Sequence, residues 1–200
     1  MTSESLLNDS GVIPAERKAL LEELSIYIKQ KLHSEKEVSL MFICANNSRR
    51  SLMAQIWAQA AAEYFNISGI KTFSGGTHKT AFNTSAINAL KKAGFKISIL
   101  NEEKNPKYKV QFAKNVAPVI CFSKVYNYAK NPKDGFVAIM TCSDADEACP
   151  VVEGAQYRTS IKYENPKKYD RTEKETEAYE ERSLQIGREM LFVFSHVGTS

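Results

Sequence analysis

The residues Cys44-Ala45-Asn46-Asn47-Ser48-Arg49-Arg50-Ser51 spell C-x5-R-S, a spacing suited to chemistry on a tetrahedral anion. A loop curling around such an anion points several backbone N–H groups inward, and a following helix adds its positive end. A cysteine at the start of the loop sits beneath that field, which favours the thiolate, the nucleophilic form. Six residues on, Arg50 can close over the anion with a forked pair of hydrogen bonds. Ser51 can donate to the sulfur and steady it as a leaving group. The competing reading is a buried cysteine at a strand end beside a solvated arginine pair, since C-x5-R alone also arises by chance.

A second pair of thiols lies in Thr141-Cys142-Ser143-Asp144-Ala145-Asp146-Glu147-Ala148-Cys149-Pro150. Three readings compete. A zinc site lacks the spacing and a second ligand pair. Two unrelated core cysteines sit poorly with an acidic, polar run, which suits an exposed loop or short helix. The third reading is a redox relay. In a helix, residues seven apart lie about 10 Å apart along the axis, whereas a disulfide needs Cα atoms within roughly 7 Å. Closing that bond would unwind the segment or loop it out. The fourth cysteine, Cys121, lies in Val119-Ile120-Cys121-Phe122-Ser123 and reads as strand core.

The elements that must position these groups alternate. An apolar run at 38–43 fits a strand buried on both faces, and it leads straight into Cys44. A helix is expected at 51–65. Strand, tight loop and helix is the layout in which N–H groups converge on an anion. Further strands are expected at 70–74, 117–122 and 136–141, with a helix at 84–93 closed by Gly94. The polar stretch 101–114 reads as irregular, and 174–196 as a long final helix whose core face draws on Tyr179, Leu184, Ile186, Met190, Phe192 and Val193. Near the N-terminus, residues 1–12 read as a loose tail. Pro14 then opens a helix with an apolar stripe of Leu20, Leu21, Leu24, Ile28 and Leu32, fit to pack on the body of the domain or to form a dimer contact. The pattern predicts an α/β fold: one domain with a central, mainly parallel sheet of about four strands flanked by helices, plus an N-terminal helix.

Composition narrows the function classes. The chain of 200 residues is 43% apolar and 25% charged, with 27 basic and 23 acidic residues scattered along it. That balance gives no basic stripe for nucleic acid and mildly favours an anionic substrate. No apolar run reaches the length of a membrane span. The polar N-terminus lacks the order of a secretory signal, so the expected compartment is the cytoplasm, where the four thiols stay mostly reduced.

The segment FICANNSRRSLMAQIW resembles the signature loop of the low-molecular-weight protein tyrosine phosphatases and of their relatives, the thioredoxin-coupled arsenate reductases. TCSDADEACP resembles the redox segment of the reductases that use three cysteines. The likeness runs over roughly 37–196, so residues 1–36 form an N-terminal tail and helix packed on a catalytic domain at 37–200. It implies Cys44 as nucleophile and Arg50 as oxyanion clamp, with Asn47, Ser48, Arg49 and Ser51 completing the oxyanion loop. It implies that Asn47 holds the loop's shape and that Ser51 supports the thiolate. Ser74, in Phe73-Ser74-Gly75-Gly76-Thr77, would hydrogen-bond toward Asn47. Cys142 and Cys149 would complete a relay reopened by a thioredoxin-type reductant.

Two departures stand out. The family's Asp-Pro, whose aspartate is the general acid, matches Asn165-Pro166 here, and an amide cannot give up a proton. Glu164 and Asp170 become candidates, as do Asp144 and Asp146. Gln55 stands where some reductases use a glutamate to bind potassium, so no metal or other cofactor is expected. His33, His78 and His196 fall in no catalytic pattern. The resulting expectation is an arsenate reductase. The alternatives are a phosphatase acting on phosphotyrosine and a low-turnover oxyanion or redox sensor.

Overall fold

The computed structural model describes residues 5–6 and 9–198. In chain order its elements are α1 (Ala15–Glu35), β1 (Val38–Cys44), α2 (Arg50–Tyr64), β2 (Ile70–Gly76), α3 (Thr84–Lys92), β3 (Lys96–Ile99), β4 (Tyr108–Gln111), β5 (Val119–Cys121), β6 (Phe136–Met140), α4 (Ser143–Ala148), β7 (Ala155–Ser160) and α5 (Glu175–Gly198).

The main sheet is parallel and ordered β2-β1-β6-β7. Its central strands are apolar on both faces because helices or loops cover both. From β1, Val38, Leu40 and Phe42 join a large core with α1, α2, α3 and α5. Met41 and Ile43 point the other way, into a smaller core with Phe136, Ala138, Met140, Cys142 and Ala145. Thus α4 covers one face and the longer helices the other.

The expected helices form within a residue or two of their predicted bounds. Pro14 precedes α1, and Leu21, Leu24 and Ile28 are buried while Leu20 and Leu32 pack partly against the core. The expected loose tail proves partly ordered among its described residues. Leu6 is buried, and Asp9–Val12 forms a 3-10 turn that approaches α5 through an Asp9–Arg188 ion pair at 3.8 Å.

Two strand assignments change. The strand at 117–122 is only Val119–Cys121 and joins a separate antiparallel sheet, β3-β4-β5, rather than the parallel one. Its partner β4 lies inside the stretch read as irregular, whose one fully buried strand residue is Val110. The fourth parallel strand is instead β7, whose sequence AQYRTS has little apolar periodicity because it lies at the sheet's edge.

Candidate active site

The connections leaving β1 and β6 diverge: β2 lies on one side of β1, and β6 with β7 on the other. In an open α/β sheet, the crevice beyond the carboxyl ends of strands at such a reversal is where ligands sit. Cys44 ends β1, and Cys142 follows β6 by two residues. The two ends are tied together, since the Thr141 N–H and hydroxyl both donate to the Ile43 carbonyl, at 2.7 and 2.9 Å.

The loop 44–50 turns its carbonyls outward. Those of Cys44 and Ala45 accept the N–H groups of Thr77 and His78, at 3.2 and 2.8 Å. Ser123 Oγ donates to the Asn46 carbonyl at 2.9 Å, and the Asn83 N–H to that of Ser48 at 2.9 Å. With these carbonyls engaged outside, the loop can turn remaining N–H groups toward its concave side, an arrangement suited to an anion. Asn47 sits at φ 44°, in the left-handed region that asparagine tolerates better than most residues.

The hydrogen bonds at Cys44 have a definite polarity. Asn47 Nδ2 donates to Ser51 Oγ at 2.8 Å. The Ser51 hydrogen is therefore free to point at Cys44 Sγ, 3.0 Å away. The Asn47 backbone N–H also donates to that sulfur, at 3.2 Å. Cys44 is 3% exposed. A sulfur receiving two donors at the N-terminal end of α2 is in surroundings complementary to negative charge.

The adjacent arginines diverge. Arg50 is buried, and its Nη1 donates to the Tyr163 carbonyl at 3.0 Å, which leaves further N–H groups for an anion. Arg49 turns away: its Nε donates to Tyr179 Oη at 2.6 Å and its Nη2 pairs with Asp170 at 3.0 Å. Ser48 Oγ donates to the Ala81 carbonyl at 2.6 Å. Arg49 and Ser48 can thus serve an oxyanion through backbone N–H groups, while their side chains brace the loop.

Cys142 is fully buried, contrary to the exposed setting its polar neighbours suggested. It lies at the foot of the loop because it caps α4 from a strand end. Its sulfur accepts the Ala45 N–H at 3.3 Å and the Ala145 N–H at 3.4 Å. Burial raises its pKa, against the lowering effects of the Ala145 N–H, the Arg50 charge and the Ala45 N–H. Cys149, half-buried, closes the other end of α4. Cys121 is core as expected, with burial pushing its thiol up to about 12.

The acid candidates separate. Asn165 accepts the Lys167 N–H at 3.2 Å and caps a 3-10 turn at Pro166–Tyr169. Glu164 lies on the surface, paired with Lys168 and Arg182. Asp170 is held at the loop's edge by Arg49 and by Tyr179 Oη, which donates at 2.7 Å.

Lys124 was missed by sequence reading. It is 6% exposed, its N–H donates to Asn47 Oδ1 at 2.9 Å, and its ammonium reaches the Phe122 carbonyl at 3.4 Å and Ser74 Oγ at 3.5 Å. Burial lowers its pKa, with Cys121 opposing. Ser74 itself donates to Gln55 Oε1 at 2.6 Å rather than to Asn47, whose amide is already taken by Ser51 and Lys124. A lone lysine after a strand carries no pattern that would reveal this role.

No family model matches the chain. It is 30% identical over 129 residues to an arsenate reductase of Staphylococcus aureus, covering 64% of this chain and 78% of that protein. It is 27% identical over 143 residues to an arsenate reductase of Bacillus subtilis, covering 72% and 84%. Among solved structures, a low-molecular-weight phosphotyrosine phosphatase from Vibrio cholerae superposes with a TM-score of 0.54 at 14% identity, covering 79% of this chain and 95% of that one. An arsenate reductase from Archaeoglobus fulgidus gives 0.53 at 18% identity, covering 78% and 98%. These two structures share the fold.

Proposed function

The chain belongs to the arsenate reductase family of the low-molecular-weight phosphatase fold, a family of cysteine-dependent enzymes, and on that premise we propose that it reduces arsenate through a Cys44/Cys142/Cys149 thiol relay. Arsenate enters the loop, held by N–H groups of residues 46–51 and by Arg50. The Cys44 thiolate attacks arsenic and water leaves, forming a sulfur–arsenic ester. The Cys142 thiolate then attacks Cys44 Sγ. The sulfur–arsenic bond breaks, its electron pair stays on arsenic, and arsenite departs. Cys149 attacks Cys142 Sγ, which frees Cys44 as thiolate and closes a Cys142–Cys149 disulfide. A dithiol protein of the thioredoxin type reopens it by exchange.

The observation that carries this reading is the 3.3 Å bond from the Ala45 N–H to Cys142 Sγ. It sets the second thiol beside the residue next to the nucleophile, where a phosphatase has no use for one. The change of the usual acid to Asn165 weighs in the same direction. An aryl oxygen needs a proton to leave, whereas arsenate esters exchange readily.

The test compares wild type with Cys142→Ser and Cys149→Ser, using arsenate with a thioredoxin recycling system and, in parallel, an aryl phosphate. Arsenate turnover should vanish in both variants, while any hydrolysis of the aryl ester survives because Cys44, Arg50 and Ser51 are untouched. Two serine variants that turn over arsenate at the wild-type rate would refute the relay.

A further inference from the structure

α4 has six residues, well short of the ~12–15 at which an isolated helix becomes stable in water. Its own hydrogen bonds therefore do not hold it. Cys142 caps its first turn, and Ala145 packs into the smaller core. The rest of its support comes from β7 and the residues just beyond.

Arg158 reaches the carboxyl end of the helix. Its Nε and Nη2 donate to the Cys149 carbonyl at 3.2 and 3.1 Å, and Nη2 also donates to the Asp146 carbonyl at 3.0 Å and to Asp146 Oδ1 at 2.6 Å. The Ser160 hydroxyl donates to the same Oδ1, and the Lys162 ammonium lies 2.7 Å from Oδ2. Residues 158 and 160 alternate along β7, and Lys162 continues that alternation two positions past its end, where Ile161 and Tyr163 still pair with Met140 and Thr141, so the three share one face. Three donors thus converge on one carboxylate in the middle of α4. Burial works against the charge on Asp146, but hydrogen bonds from Lys162, Ser160 and Arg158 outweigh it and hold the carboxyl at about 2.

We propose that Asp146, held by Arg158, Ser160 and Lys162, is a positioning residue that keeps α4 wound and the Cys142 and Cys149 thiols apart, and so sets how readily that pair oxidises. The proposal rests on the relay reading. Cys142 and Cys149 cap the two ends of α4, and seven residue steps at helical rise set their Cα atoms about 10 Å apart along the axis, whereas a disulfide requires Cα atoms within roughly 7 Å. The Asp146 and Cys149 carbonyls, both gripped by Arg158, must then shift when the bond closes. The grip stabilises the dithiol and not the disulfide, so weakening it favours oxidation.

The test uses the full chain carrying Cys44→Ser, which leaves Cys142 and Cys149 as the reactive pair, equilibrated in reduced and oxidised glutathione. Each oxidation consumes one glutathione disulfide, transfers two electrons and two protons, and releases two glutathione thiols. Alkylation and peptide mapping count the products. Adding Asp146→Asn should raise the oxidation equilibrium constant about tenfold, which is about 30 mV toward more negative potential. Lys162→Met, at a half-exposed side chain whose loss leaves the fold intact, should give a smaller shift in the same direction and serves if Asp146→Asn does not fold. Midpoints unchanged or moved the other way overturn the proposal while leaving the relay standing. A parent chain that forms no Cys142–Cys149 bond in any buffer overturns both.

Discussion

Replacing Arg50 by lysine should cost far more than a conservative change, and the structure says why. The arginine spends Nη1 on the Tyr163 carbonyl at 3.0 Å and still has donors for an anion. Lysine ends in one nitrogen, which cannot hold the tether and bracket two equatorial oxygens at once. Losing one charge-assisted bond to the anion forfeits about 1.5–3 kcal/mol, and leaving the Tyr163 carbonyl unpaired adds about 1 kcal/mol. A total of about 2.5–4 kcal/mol corresponds to a loss of roughly 70- to 1000-fold in kcat/KM. Arg49→Lys is the internal control. Its guanidinium is committed to Tyr179 and Asp170, so the rate should stay within about threefold while some stability is lost. The assay is kcat/KM for arsenate and for an aryl phosphate on both variants, with folding checked by circular dichroism. If Arg50→Lys keeps the wild-type rate and Arg49→Lys abolishes it, the assignment of the clamp is wrong.

Gly76→Ala would set a Cβ 2.4 Å from the His78 carbonyl and 2.8 Å from both the Ala45 carbonyl and the Asn47 nitrogen, so the loop must shift; anion affinity should fall at least about tenfold, with about 1–3 kcal/mol of overpacking visible in urea unfolding. Arg17→Met takes the counter-charge from Glu189, which is 2% exposed, receives Arg17 at 2.8 and 3.1 Å and would keep the Gln185 Nε2 donor at 3.1 Å; unfolding should report a loss of about 3 kcal/mol, and a change under about 0.5 kcal/mol would count against the pair. Because burial raises the Cys142 pKa, its thiolate is scarce at neutral pH; raising the pH supplies it, so the single-turnover oxidation rate should climb about tenfold per unit through neutrality, and a flat profile would deny Cys142 the attacking role. Asn165→Asp can keep the 3-10 cap through its carboxylate oxygen; if 165 faces the leaving group, aryl phosphate hydrolysis rises with a new acidic limb, and no change sends the search to Asp170.

Much of the fold was legible because its central strands and helices carry strong patterns. The run 38–43 is apolar on both faces since β1 is covered on both, and α5 shows its core stripe over its full length. β3, β4 and β7 were hidden for the opposite reason, since edge positions and short strands need few buried side chains: β3 has none fully buried. β5 was read as a strand, but of the parallel sheet rather than the antiparallel one. At the site, the spacing pointed to Cys44, Arg50 and Ser51 and the resemblance to Asn47, and the structure sets Ser51 Oγ beside both Cys44 Sγ and Asn47 Nδ2. Lys124 and Arg158 were assigned no role, and Asp146 only that of a candidate acid, because each acts from a distant segment brought in by the sheet. The burial of Cys142 was misjudged from its neighbours, since one strand-end residue can be buried beneath an otherwise polar turn.

A single turnover without added reductant tests the central claim most directly. Reduced wild-type protein mixed with excess arsenate should release about one arsenite per chain and lose two thiols, in the stoichiometry of a two-electron exchange. Peptide mapping should then find Cys142 joined to Cys149, with Cys44 and Cys121 free. Arsenite release with no such disulfide, or no arsenite at all from a protein that binds the anion, would contradict the account.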